Sequence, residues 1–189
     1  MLASRLLSWT YSKRPMTLFL VGYAGSGKSS LGKRLARRLG IRFVDTDKWI
    51  ELNEGASVAD IFHYGGEEYF RRTERNAVES LYLEDENMVV ATGGGLPTYG
   101  DNMEWLNDHG LTIYLRRSPE QIMSRMSAYG REKRPMFRGK SDDELLAFMK
   151  AQMAERERFY AMANISVECT PISDDEAVEV IVKELIARL

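Results

Sequence analysis

Short apolar runs and amphipathic stretches alternate along this chain, and the alternation predicts strands separated by helices. Residues 16–21 form an apolar run that enters a glycine-rich turn, the pattern of a buried parallel strand. Residues 29–39 place Leu31, Leu35, Ala36 and Leu39 at helical spacing and Lys33, Arg34, Arg37 and Arg38 elsewhere, which predicts an amphipathic helix closed by Gly40. Further strands are predicted at 41–44, 88–92, 111–115 and 165–169, and helices at 67–83, 102–107, from Ser118-Pro119 onward, 141–162 and 173–189. Between 49 and 64 the pattern reads as short helices, which Gly65-Gly66 interrupts. Strands spaced by helices need crossover connections. The predicted fold class is therefore α/β, with helices on both faces of a parallel sheet.

At 189 residues, 44% apolar and 29% charged, one domain over 16–189 is expected. Residues 1–15 are basic, lack acid and contain Ser4, Ser8 and Ser12, a faint likeness to an organelle transit peptide. A flexible leader is the simpler expectation. The net charge of -2 argues against a general nucleic-acid binder, so any anion must be held by a local arrangement. No apolar run reaches the roughly 18 residues of a membrane span. Cys169 is the only cysteine, which rules out an internal disulfide and a cysteine zinc cluster and fits a reducing, cytoplasmic setting. It reads as a small core residue, and His63 and His109 lie outside any zinc-ligand spacing.

The strongest chemical signal is Gly22-Tyr23-Ala24-Gly25-Ser26-Gly27-Lys28-Ser29 between the first strand and the first helix. Glycines let successive backbone N–H groups face phosphate oxygens, and the helix adds its positive end. Lys28 would bridge the outer phosphates and the Ser29 hydroxyl would ligate magnesium. A guanine-reading Asn-Lys-x-Asp is absent, which sets GTPases aside. Asp45 and Asp47 stand two apart at a strand end, a spacing that in extended backbone sends both carboxylates to one face. One would hold hydrated magnesium and the other receive a proton from an acceptor hydroxyl, although both residue types also form turns and helix caps. Gly93, Gly94 and Gly95 allow backbone to approach a polar ligand, or merely form a tight turn. Arg71 and Glu74 share a helix face, and Arg156 supplies a later cation. Residues 129–140, with Gly130, Pro135, Gly139 and several cations, read as a mobile loop.

Taken in order, these residues resemble the shikimate kinase family. The likeness runs from the phosphate loop through Asp45-Thr46-Asp47, Gly65-Gly66-Glu67, Phe70-Arg71-Arg72, Glu74, Thr92-Gly93-Gly94-Gly95 and Arg134-Pro135 to Arg156 and Tyr160. It implies a three-layer α/β/α fold of the P-loop kinase type, with a five-stranded parallel sheet, a mobile lid at about 129–140 and an acceptor-binding helical region at about 47–83. It also implies transfer of the γ-phosphate of ATP to the 3-hydroxyl of shikimate, with one magnesium ion, in chorismate and aromatic amino-acid biosynthesis.

For individual residues, the resemblance assigns Gly25, Ser26, Gly27, Lys28, Ser29 and Ser30 to the nucleotide phosphates, and Arg125 and Pro135 to the neighbourhood of adenine. Lys28, Asp47 and Arg134 become the catalytic set. Asp47, Arg71, Arg156, Gly93, Gly94 and Gly95 would hold shikimate, and Ser29 with Asp45 would hold the metal. Arg131, Lys133 and Arg138 add lid charge of undefined destination, while Tyr23 and Ala24 fill variable loop positions. A monomer is the default. A kinase for another hydroxylated acid such as gluconate, or a nucleotide-binding module without turnover, are the alternatives.

Overall fold

The structure, a computed structural model, describes residues 15–132, 134–170 and 172–188. Residues 1–14 of the expected leader, together with Lys133, lie outside the described residues. Five parallel strands form one sheet in the order β2-β3-β1-β4-β5: β1 (Thr17–Val21), β2 (Arg42–Asp45), β3 (Met88–Ala91), β4 (Leu111–Arg116) and β5 (Ile165–Glu168). The helices are α1 (Lys28–Leu39), α2 (Thr46–Glu54), α3 (Val58–Tyr82), α4 (Asn102–His109), α5 (Pro119–Arg125), α6 (Ala128–Glu132), α7 (Asp142–Tyr160) and α8 (Asp174–Ala187). Their ends obey local chemistry. Gly40 caps α1 in the left-handed conformation, and Ser141 and Ser173 each open a helix with a capping box.

The central strands β1 and β3 are buried throughout because both of their faces are covered. Alternation sorts the residues of β1. Phe19 and Val21 join Val90, Tyr114, Met103, Leu106, Leu145 and Met149 on the α4 and α7 side. Leu18 and Leu20 join Val89, Ile113, Leu31, Leu35, Ile181 and Leu185 on the α1 and α8 side. The edge strand β5 alternates buried and exposed residues. A smaller apolar cluster of Ile50, Ile61, Phe70 and Ala77 welds α2 to α3.

Two segments gain local detail. Residues 129–140 carry a short helix, α6, and a 3-10 turn at Pro135–Phe137, because Phe137 is fully buried and stacks on Tyr23 at 6.3 Å. That segment is thus more regular than its glycines and prolines suggest. The Gly65-Gly66 break is a kink within α3, with Gly66 at φ 77° and ψ 173° between two helical halves. Cys169 is buried, with its thiol pushed up to about 11 by desolvation, and it serves packing as expected. His109 is likewise structural, stacked on Trp105 at 4.1 Å.

Candidate active site

Open parallel sheets bind ligands beyond the carboxyl ends of their strands, where neighbouring connections diverge. Here β1 runs into the phosphate loop, β2 into α2, and β3 into the glycine run, so three connections meet at that edge. Gly27, at φ 96°, precedes α1, whose first turn carries no acid to offset its positive end. Gly22 and Gly25 are also in the positive-φ region, which L side chains avoid. Ser26 Oγ is the buried side-chain polar atom without a hydrogen-bond partner among the described residues. An orphaned donor in this loop suits a place that an anion fills.

Lys28 bends back over the loop and donates to the carbonyls of Gly22 (2.7 Å) and Tyr23 (2.9 Å). Burial pulls its ammonium down to about 8, against the attraction of Asp47. Ser29 Oγ donates to Asp45 Oδ2 at 2.5 Å. That hydroxyl and carboxylate form an all-oxygen corner beside the phosphate loop, suited to a hard cation. No cluster of three or more metal-binding side chains occurs among the described residues, so such a cation would depend on nucleotide oxygens for most of its ligands.

Asp45 and Asp47 do converge, but not through extended backbone. Asp45 is the N-cap of α2 and accepts from the backbone N–H groups of Asp47 (3.1 Å) and Lys48 (3.4 Å). Asp47 lies in the first helical turn, so capping geometry, not strand alternation, sets its direction. It keeps solvent access on one side while protein crowds the rest. Desolvation and the Asp45 charge raise its carboxyl to about 6, with Lys28 and Arg134 pulling the other way.

A second group of side chains gathers around α3. Arg71 donates to Glu74 at 2.5 Å and to Glu67 at 3.2 Å, and Glu74 is 1% exposed. Burial raises the Glu74 carboxyl, with Arg71 opposing it. The three glycines are explained by proximity. A Cβ at Gly93 would strike the Glu74 carboxylate, one at Gly95 would strike the Arg71 guanidinium, and one at Gly94 would come within 3.0 Å of the Ala24 nitrogen. The Gly93 N–H donates to Thr46 Oγ1 at 3.0 Å, and Tyr160 Oη donates to the Gly94 carbonyl at 2.6 Å. Arg156 stands 5.7 Å from the Tyr23 ring centre. Its charge reaches both Lys28 and Glu74.

The lid cations separate. Arg134 bonds the Gly130 carbonyl (2.5 Å) and faces Asp47 and Lys28, while burial lowers its own proton affinity. Arg131 turns to Asp142 and Arg138 to the Glu132 carbonyl. Arg125 does not join the Lys28 cluster, for it pairs with Asp174 at the start of α8. Ser30 reaches the same carboxylate at 3.3 Å. The side chain of Pro135 lies outside the described residues.

Tyr23 needs a correction, since it is more than loop filler. It is 1% exposed, donates to Gln152 Oε1 at 2.6 Å, stacks on Phe137 and underlies Arg156. An aromatic at a variable loop position carried no signal of this in sequence, because its partners lie more than a hundred residues away.

Comparison with known proteins points to one family. The family model described as shikimate kinase matches residues 24–188. A curated shikimate kinase of Bacteroides fragilis is 39% identical over 168 residues, 89% of this chain and 93% of that protein. One from Symbiobacterium thermophilum is 40% identical over 174 residues, covering 92% of this chain and 96% of its own. Among solved structures, shikimate kinase from Bacteroides thetaiotaomicron aligns with a TM-score of 0.81 at 35% identity, covering 92% of this chain and 99% of that one. Shikimate kinase from Acinetobacter baumannii, solved in complex with shikimate, gives 0.83 at 27% identity over 95% and 97%. Matched along nearly its whole described length, the chain belongs to the shikimate kinase family.

Proposed function

We propose that the cleft at the strand ends divides the labour of one phosphoryl transfer among the residues just placed. The chain is an ATP-dependent kinase that moves the γ-phosphate of ATP to the 3-hydroxyl of shikimate, giving ADP and shikimate 3-phosphate for chorismate and aromatic amino-acid synthesis. The backbone of Gly25, Ser26 and Gly27, with Ser29 and Ser30 at the start of α1, holds the phosphates. Lys28 exchanges its two carbonyl partners for phosphate oxygens. Arg134 lies over the group in flight, where positive charge stabilises a loose transition state. Arg125 and Pro135 lie toward adenine.

On the other side, Arg71 and Arg156 grip the carboxylate of shikimate, and Glu74 fixes the angle of Arg71. Backbone groups of Gly93, Gly94 and Gly95 meet the ring hydroxyls. Asp47 accepts the proton of the 3-hydroxyl as its oxygen bonds to the γ-phosphorus and the bridging bond to ADP breaks. A carboxyl at about 6 is ionised at neutral pH yet more basic than an ordinary aspartate. Ser29 and Asp45 would hold magnesium, which when bound with ATP neutralises charge on the β- and γ-phosphate oxygens. Closure of residues 129–140 excludes water as a competing acceptor. The protein acts as a cytoplasmic monomer with no nucleic-acid partner, and no helix among the described residues is long and apolar enough to cross a membrane.

One observation carries this reading. Asp47 and Glu74, the partner of Arg71, meet at Gly93, where an added Cβ would strike the Glu74 carboxylate and come within 3.3 Å of Asp47 Oδ1, and Asp47 stands beside the phosphate loop where Lys28 and Arg134 draw its carboxyl down. Purified protein should form ADP from ATP and magnesium only on addition of shikimate. Absence of shikimate-dependent turnover in folded protein, or faster turnover with gluconate, would overturn it.

A further inference from the structure

The mechanism makes no use of Arg117, yet this arginine has the most buried ion-pairing side chain of the described cations, 1% exposed. Burying a guanidinium is costly unless each face of its fork finds an acceptor. Arg117 finds three. Nε donates to the Ser26 carbonyl (2.9 Å), Nη1 to the Cys169 carbonyl (3.1 Å) and Nη2 to Asp174 Oδ1 (2.7 Å). The fork thus ties the phosphate loop to the end of β5 and the first residue of α8.

The bond to Ser26 has a directional consequence. In a trans peptide the carbonyl and the following N–H point in opposite directions. Holding the Ser26 carbonyl behind the loop therefore turns the Gly27 N–H toward its concave side. The neighbouring peptide is held in the same sense, since the Gly27 carbonyl accepts from Ser30 Oγ at 3.0 Å and from the Leu31 N–H at 2.9 Å. Asp174 then links this support to Arg125, accepting from its Nη2 at 2.9 Å through both oxygens. Two arginines, Arg117 buried and Arg125 exposed, against one carboxylate leave local positive charge behind the loop, which favours an anion.

We infer that Arg117 is a positioning residue for the nucleotide phosphates: it fixes the Ser26–Gly27 peptide with its N–H turned inward and ties the phosphate loop to Asp174 and Arg125. This rests on the assignment of the Gly25 to Lys28 backbone to ATP. It concerns the nucleotide alone, for none of the partners of Arg117 belongs to the Arg71, Glu74, Gly93 to Gly95 group.

The test measures KM for ATP and for shikimate separately in Arg117→Met and Arg117→Lys, with ADP affinity by calorimetry and melting temperature as a check on folding. Arg117→Met should raise KM for ATP and weaken ADP binding roughly tenfold or more, the loss expected for a charge-assisted hydrogen bond. KM for shikimate should stay within about twofold. Should Arg117→Met fail to fold because Asp174 is stranded, Arg117→Lys decides. It keeps a cation for Asp174 but cannot span three acceptors, so it should fold and show a smaller rise in KM for ATP, about threefold or more. The inference is overturned if folded variants keep KM for ATP within twofold, or if both KM values rise together, the pattern of a general structural role. Failure of the underlying reading looks different, because unmodified protein would then show no shikimate-dependent ADP formation.

Discussion

The proposed phosphate side of the cleft comes from one contiguous segment, Gly22 through Ser30, and would work mainly through its backbone and the end of α1. The proposed acceptor side comes from α2, α3, the glycine run after β3 and the end of α7, and would work mainly through side chains. The two also differ in how charge is handled. Lys28 sits buried with carbonyl partners, its proton affinity lowered by desolvation. Arg71 is neutralised in place by Glu74 and Glu67. A phosphate cradle is thus local geometry that tolerates variable side chains. A pocket for a hydroxylated acid must be gathered from afar, and each member needs a neighbour to aim it.

The harshest way to break this division is at Asp47, where the two sides meet. Asp47→Asn should cut kcat by about 10²–10⁴ while leaving both KM values within a few-fold, read from steady-state kinetics. The same variant should melt higher than the wild type at pH 8. A carboxyl raised from 3.8 to about 6 on folding costs stability as pH rises through that interval, and asparagine removes the cost. Equal melting temperatures at pH 8 would count against the raised value.

Next in size, Arg71→Ala should raise KM for shikimate roughly 10- to 100-fold with KM for ATP unchanged, the mirror image of the Arg117 variants. A matching rise for ATP would dissolve the separation of the two sides. The pH profile sharpens it further. With Asp47 as base, kcat/KM for shikimate should fall about tenfold per unit below about pH 6 and level off above it. An acid limb near pH 4 would move the base elsewhere.

The smallest effect belongs to Tyr23, a loop residue that also underlies Arg156. Tyr23→Leu removes the face under Arg156, the stack on Phe137 and the bond to Gln152. A cation over an aromatic ring contributes about 0.5–2 kcal/mol, so KM for shikimate should rise a few-fold, up to about 30-fold. If only KM for ATP moved, the contact with Arg156 would have no bearing on the acceptor.

Legibility in sequence follows the same divide. The alternation of apolar runs and amphipathic helices reports burial directly, so strands and helices fall close to their expected positions, Gly40 closes α1, and Ser118 and Ser173 open helices. In segment 129–140 the punctuation is visible in sequence, but the burial of Phe137 is not, because it depends on Tyr23, far away in the chain. Asp45 and Asp47 are recognisable as a pair, but their geometry comes from a helix cap, one of the two readings the sequence left open, and not from extended backbone. The glycine run is visible, but its necessity emerges only when Glu74, Arg71 and Ala24 pack against it.

From residue order alone come the α/β class, the phosphate loop and the family likeness, because each rests on short-range periodicity or on spacing within one backbone segment. Folding in three dimensions added the packing of Glu74 and Arg71 against the glycine run, the bridging place of Tyr23 and the clamp of Arg117 on Ser26. Those are contacts between segments that only the strand order brings together. A buried charge or ring declares its purpose through its partners, and partners are a property of packing.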